Sequence, residues 1–199
     1  MITPRIVGLT GGIASGKSLA CTMFASLGVP TLDIDLVARD MHQDPSHPAT
    51  RALAAAFPQA MTADGALRRG TLRTLFARDG VANAALKGIF RPYVQQAVRQ
   101  WTGAQSAVYV VWEAALLADL GVPLDRILVL DAPPDVRTSR LLARNPDWSR
   151  DDAENLIAVQ AATPPPSAWP TDILANTGSR EDLSQRVRAQ HACYLALWS

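Results

Sequence analysis

Two cysteines in 199 residues, Cys21 and Cys193, are too few for a disulfide framework, and no Cys/His cluster has zinc spacing. That sets aside stapled secreted domains and zinc modules, and leaves Cys21 as a small core residue. Long apolar runs are missing too. The longest, residues 107–118, is broken by Glu113 and is too short to span a bilayer. No apolar stretch of signal-peptide type stands near the N-terminus, so a cytoplasmic protein with no membrane partner is expected. One-sided charge is absent: the formal net charge is +1. With the basic residues dispersed, and with no helix-turn-helix, RNP or zinc-finger pattern, nucleic acid is not the expected partner. No internal repeat is visible. Lysine is scarce, with Lys17 and Lys87 the only two among 19 basic side chains.

Against that spare background one octapeptide stands out. Gly11-Gly12-Ile13-Ala14-Ser15-Gly16-Lys17-Ser18 is a complete G-x-x-x-x-G-K-[ST] phosphate loop. Its glycines let the backbone fold closely around an anion. Its N–H groups point inward, and the following helix adds the positive end of its dipole. Lys17 reaches the outer phosphates, and the Ser18 hydroxyl suits Mg²⁺. The flanks fit this reading. Residues 5–10 form a short apolar strand. Residues 18–27 carry Leu19, Ala20, Met23, Phe24 and Leu27 at helical spacing before Gly28 stops the run.

Four further apolar segments follow, at 29–32, 107–112, 126–130 and 172–175, and the first three lead into the acids Asp33, Glu113 and Asp131. Continuous apolar strands alternating with helices predict an α/β fold: a P-loop NTPase core with a five-stranded parallel sheet covered by helices on both faces. Ligands bind beyond the carboxyl ends of such strands. Helical patterns at 37–41, 48–57, 68–78 and 81–101, separated by turn signals such as Asp44-Pro45 and Asp64-Gly65, make a helical substrate lobe over residues 36–105. That lobe holds nine Lys/Arg against four Asp/Glu, an excess suited to a polyanionic small molecule. Residues 136–166 read as a short helical lid, in which Arg137, Arg140 and Arg144 share one helix face. Residues 1–35, 106–135 and 167–199 make the nucleotide-binding core.

Phosphoryl transfer needs phosphates held in line, positive charge on the developing anion, and a base for the attacking hydroxyl. The loop, Lys17, Mg²⁺ and the lid arginines supply the first two. Asp33, closing the second strand, is the candidate base. Asp35 is open between a substrate or metal contact and the N-cap of the next helix. Glu113 ends its strand as a metal-holding acid would.

Taken together, the chain resembles the dephospho-coenzyme A kinase family. The resemblance rests on residues 8–18, on Asp33-Ile34-Asp35, on Asp64-Gly65 through Arg69, Leu72, Phe76 and Asp79, on Glu113 through Leu117, on Arg140 to Arg144 with Gln160, and on 172–176 with Gly178. It implies ATP-dependent phosphorylation of the ribose 3′-hydroxyl of dephospho-CoA, the last step of CoA synthesis, with ATP and Mg²⁺ as cofactors. It implies Asp33, Lys17 and Arg140 as catalytic residues. ATP would be held by Gly12, Ile13, Ala14, Ser15, Gly16, Lys17, Ser18, Leu19, Arg140, Arg144 and Asn176, the metal by Ser18 and Glu113, and the substrate by Asp35, Arg69, Arg91 and Leu116. A monomer is the expected state, with an oligomer left open. Ala14 stands where the family usually has glycine, a small change if the backbone there is not left-handed. Arg91-Pro92 replaces a usual His-Pro pair. Another P-loop small-molecule kinase, or an ATP-binding module without kinase activity, remains the alternative.

Overall fold

The five apolar runs become strands: β1 (Arg5–Thr10), β2 (Thr31–Asp33), β3 (Tyr109–Glu113), β4 (Arg126–Asp131) and β5 (Thr171–Ala175). They form one five-stranded parallel sheet in the order β2-β3-β1-β4-β5. The computed structural model describes residues 3–63, 68, 80–114, 117–161 and 169–199. Among them are seven α-helices: α1 (Lys17–Ser26), α2 (Ile34–Gln43), α3 (Pro48–Ala56), α4 (Gly80–Gly103), α5 (Pro134–Arg144), α6 (Arg150–Ala161) and α7 (Arg180–Trp198). The chain divides into two units, Met1–Leu32 with Thr102–Ser199, and Asp33–Trp101.

In the first unit β1 lies in the middle, with Leu9 beside Glu113 of β3 and Leu9 beside Leu128 of β4. All five residues of β3 are buried, which is why its sequence shows no polar alternation. One face of the sheet packs against α1 and α7 through Val7, Leu9, Phe24, Val111, Leu128, Leu183 and Val187. On the other face Gly8 leaves room for Leu117 and Leu124, and the Trp112 indole donates to Thr102 Oγ1 at 3.1 Å. β5 is an edge strand with Ile173 exposed.

The second unit builds a core of its own from Ala49, Leu53, Ala60 and Phe90, closed by Met41, Phe57, Ile89 and Tyr93. The helix expected at 37–41 is longer than its pattern suggested. It starts at Ile34 because Asp33 caps it, with Oδ1 accepting from the Leu36 N–H at 2.9 Å. The N-cap is therefore Asp33, not Asp35, which falls in the first turn. Nearly all of the helix expected at 68–78, with Arg69, Leu72 and Phe76, lies outside the described residues, as do Asp64-Gly65, Asp79, Leu116 and the proline run 164–166.

Candidate active site

Parallel strands deliver their C-terminal residues to one edge, here Thr10, Glu113, Asp131 and Ala175 in the first unit. The glycine loop leaves β1 at that edge and turns back on itself through a Ser15 N–H bond to the Gly12 carbonyl at 3.1 Å. Lys17 opens α1, and its Nζ returns over the loop to donate to the carbonyls of Gly11 at 2.9 Å and Gly12 at 3.3 Å. One residue on, Ser18 Oγ donates to Glu113 Oε1 at 2.8 Å, although the two are 95 positions apart. The hydroxyl and the buried carboxylate pair two hard oxygen donors, the set Mg²⁺ takes when it is shared between a protein and phosphates. Among the described residues no group of three or more His, Cys, Asp or Glu could hold a metal by itself.

The loop is gripped from above by α5. Arg140 Nη1 reaches the carbonyls of Ala14 at 3.3 Å and Ser15 at 3.4 Å, while Nη2 reaches Asn176 O at 3.1 Å and Asn176 Oδ1 at 3.3 Å. Asn176, buried just past β5, completes the ring by donating from Nδ2 to the Ser15 carbonyl at 2.7 Å. Ile13 and Ala14 also join the apolar core of the α5–α6 pair, packing with Leu141, Ala153 and Ile157. Loop and helical pair are thus one packed assembly.

The structure brings Gly12 through Ser18, Glu113, Arg140 and Asn176 together. Leu19 turns its side chain inward against the sheet core. Arg144 is exposed in the last turn of α5. Asp33, Asp35 and Arg91 are exposed residues of the second unit. Arg69 and Leu116 lie outside the described residues. Ala14 has φ 57°, so its backbone is left-handed after all. The replacement of glycine there carries a strain of about 1–2 kcal/mol. Arg137, grouped with the other lid arginines, had no ATP contact assigned to it by number. Its Nε donates to the Ile13 carbonyl at 2.8 Å. Burial lowers its pKa, against the pull of nearby Asp131. The shared helix face with Arg140 was the available signal, and nothing in the spacing separated the contributing arginines from the exposed one.

A glycine cradle behind the central strand of a parallel sheet, a returning lysine and a serine–acid pair define a P-loop nucleotide-binding protein. The family model described as Dephospho-CoA kinase matches residues 5–182. A dephospho-CoA kinase of Sodalis glossinidius is 37% identical over 199 residues, covering 98% of this chain and 95% of that one. One of Thiobacillus denitrificans is 38% identical over 198 residues, covering 96% of each. The crystal structure of TT1252 from Thermus thermophilus superimposes with a TM-score of 0.78 at 31% identity, covering 96% of this chain and 98% of that one. The chain belongs to the dephospho-CoA kinase family.

Proposed function

We propose that this chain transfers the γ-phosphoryl group of ATP to the ribose 3′-hydroxyl of dephospho-CoA, giving CoA and ADP in the final step of CoA biosynthesis. The observation that carries this reading is the match to dephospho-CoA kinases over nearly the full length of both partners. A kinase family uses ATP, and the loop at 11–18 supplies the anion cradle for it.

On this reading the N–H groups from Gly12 to Ser18 and the Leu19 main chain hold the phosphates, with Lys17 on the outer ones. Ser18 and Glu113 hold Mg²⁺, which when bound neutralises charge on the phosphate oxygens. Arg140, already braced by four carbonyl-type oxygens, fixes the loop and contacts ATP with Arg144 and Asn176. Asp33 accepts the proton as the 3′-oxygen bonds to the γ-phosphorus and the bond to ADP breaks. Its Oδ1 caps α2, which orients the carboxylate and leaves Oδ2 for that proton. The acceptor is bound by Asp35, by Arg69 and Arg91 of the lobe 36–105, and by Leu116, and residues 136–166 act as the lid. A cytoplasmic monomer acting on a small molecule completes the proposal.

The test is ADP release from ATP and Mg²⁺ with a panel of acceptors. Dephospho-CoA is expected to give turnover, and nucleosides, nucleoside monophosphates and shikimate none. Turnover with a nucleoside and none with dephospho-CoA overturns the assignment.

A further inference from the structure

Two buried polar atoms of the first unit have no hydrogen-bond partner among the described residues, and both lie at the glycine loop: Ser15 Oγ and Arg137 Nη2. Buried N–H and O–H groups are almost always paired, so each such atom calls for an explanation. Arg140, three residues along the same helix, has both Nη atoms on loop and Asn176 oxygens. Arg137 is only half used. Its Nε is fixed on the Ile13 carbonyl at 2.8 Å, which aims the fork, and its Nη2 is left over. The guanidinium lies directly on Gly12: a Cβ added there would collide with Nη2 and come within 2.5 Å of Cζ. Gly12 is also where Lys17 Nζ rests, 3.3 Å from its carbonyl oxygen. Two cations far apart in the unit's sequence therefore converge on one loop residue. Phosphate-loop lysines serve the outer phosphates, so a cation sharing Gly12 with Lys17 meets those phosphates rather than the base.

We propose that Arg137 contacts the outer phosphates of ATP through Nη2, carrying a second positive charge to the transferring phosphoryl group beside Lys17. The proposal rests on the kinase reading above. A planar fork held by one N–H on a carbonyl suits this task, since the remaining N–H groups stay preorganised toward phosphate oxygens.

The rival role is a strut that merely pins α5 to Ile13. Two variants and two probes separate them. Arg137→Met removes every donor and keeps the stem. Arg137→Lys keeps the charge without the fork. Each is measured for kcat, for KM of ATP, and for the melting shift given by tripolyphosphate and by adenosine. Arg137→Met is expected to lose about 10²-fold in kcat, the usual cost of one preorganised donor to a developing anion. It is expected to lose the tripolyphosphate shift and keep the adenosine shift, and Arg137→Lys to recover part of both losses. Wild-type kcat and an intact tripolyphosphate shift in Arg137→Met overturn the proposal. So does an equal loss of both shifts together with a lowered ligand-free melting temperature, which marks a strut. If wild type binds tripolyphosphate through Arg137 yet never phosphorylates dephospho-CoA, the assignment of the acceptor fails and the phosphate contact of Arg137 stands.

Discussion

Gly11 and Gly12 are neighbours, yet an added methyl meets different obstacles at each. At Gly11 φ is +150°, and a Cβ would run into the backbone carbonyl of Leu130 and come 2.8 Å from Ser15 Oγ. Backbone cannot step aside cheaply. Gly11→Ala is expected to cost about 3 kcal/mol, lowering Tm by roughly 6–12 °C. At Gly12 the obstacle is the tip of a flexible arginine, which can swing away. Gly12→Ala is expected to keep Tm within about 3 °C of wild type while turnover with ATP falls, because the displaced guanidinium is the one aimed at the loop. Thermal melts and ATP turnover on the two variants check this. Equal melting losses would show that the Arg137 position is rigid and that the contrast is wrong. At this scale much was legible in advance. The loop's spacing identified it, because its chemistry depends on adjacent residues. The left-handed φ of Ala14 was not legible, since an alanine gives no local sign of the conformation its neighbours impose.

At the scale of elements, α7 is tied to the sheet by a polar lock at the strands' amino ends. Arg126 grips Asp172 with Nε at 2.8 Å and Nη2 at 2.9 Å, and the Tyr194 hydroxyl of α7 donates to the same carboxylate at 2.9 Å. The Arg126 bonds, with help from Tyr194, hold the Asp172 carboxyl below its usual range against the opposing effect of burial. A folded-state pKa below the unfolded one means stability that is present above the unfolded value, near 3.9, and lost as pH falls through the folded value. Asp172→Asn is therefore expected to cost about 2 kcal/mol at neutral pH, roughly 4–8 °C in Tm. The gap should narrow as pH drops below about 4. Melting curves of both proteins between pH 7 and pH 3 decide it, and a gap of constant size would mean that the carboxylate charge contributes nothing. Element identities were largely readable from periodicity and stop signals, and α1, α3, α5 and α6 follow them. The start of α2 was not. Asp33-Ile34-Asp35 looks like a strand ending, and the cap lies two residues nearer the N-terminus because Asp33, not Asp35, stands before the first helical residue.

At the scale of the whole molecule, the proposed chemistry is divided between two units of the chain. Lys17 belongs to the first, and Asp33 and Arg91 belong to the second. Their variants should fail in different ways. Lys17→Ala is expected to abolish measurable ATP binding. Asp33→Asn should lower kcat by about 10²–10⁴-fold, the range for losing a positioned base, with ATP affinity unchanged. Arg91→Ala should raise KM for dephospho-CoA and leave KM for ATP as it was. Calorimetric titration with ATP beside steady-state kinetics separates the three. Full activity in Asp33→Asn would remove the assigned base.

The amino-acid sequence alone determined the strands, the loop, the lysine that serves it and the acids that close the strands. Each of these depends on residues within a turn or two along the chain, where periodicity, glycine and capping act directly. Tertiary structure decided which distant groups meet: Glu113 with Ser18, Asn176 with Ser15, and Arg140 rather than Arg144 on the loop carbonyls. It also decided that Arg137 keeps its buried Nη2 to spare. The reason is physical. Three arginines on one helix face are equivalent until a second surface is packed against it, and only the distance to that surface assigns each donor its acceptor.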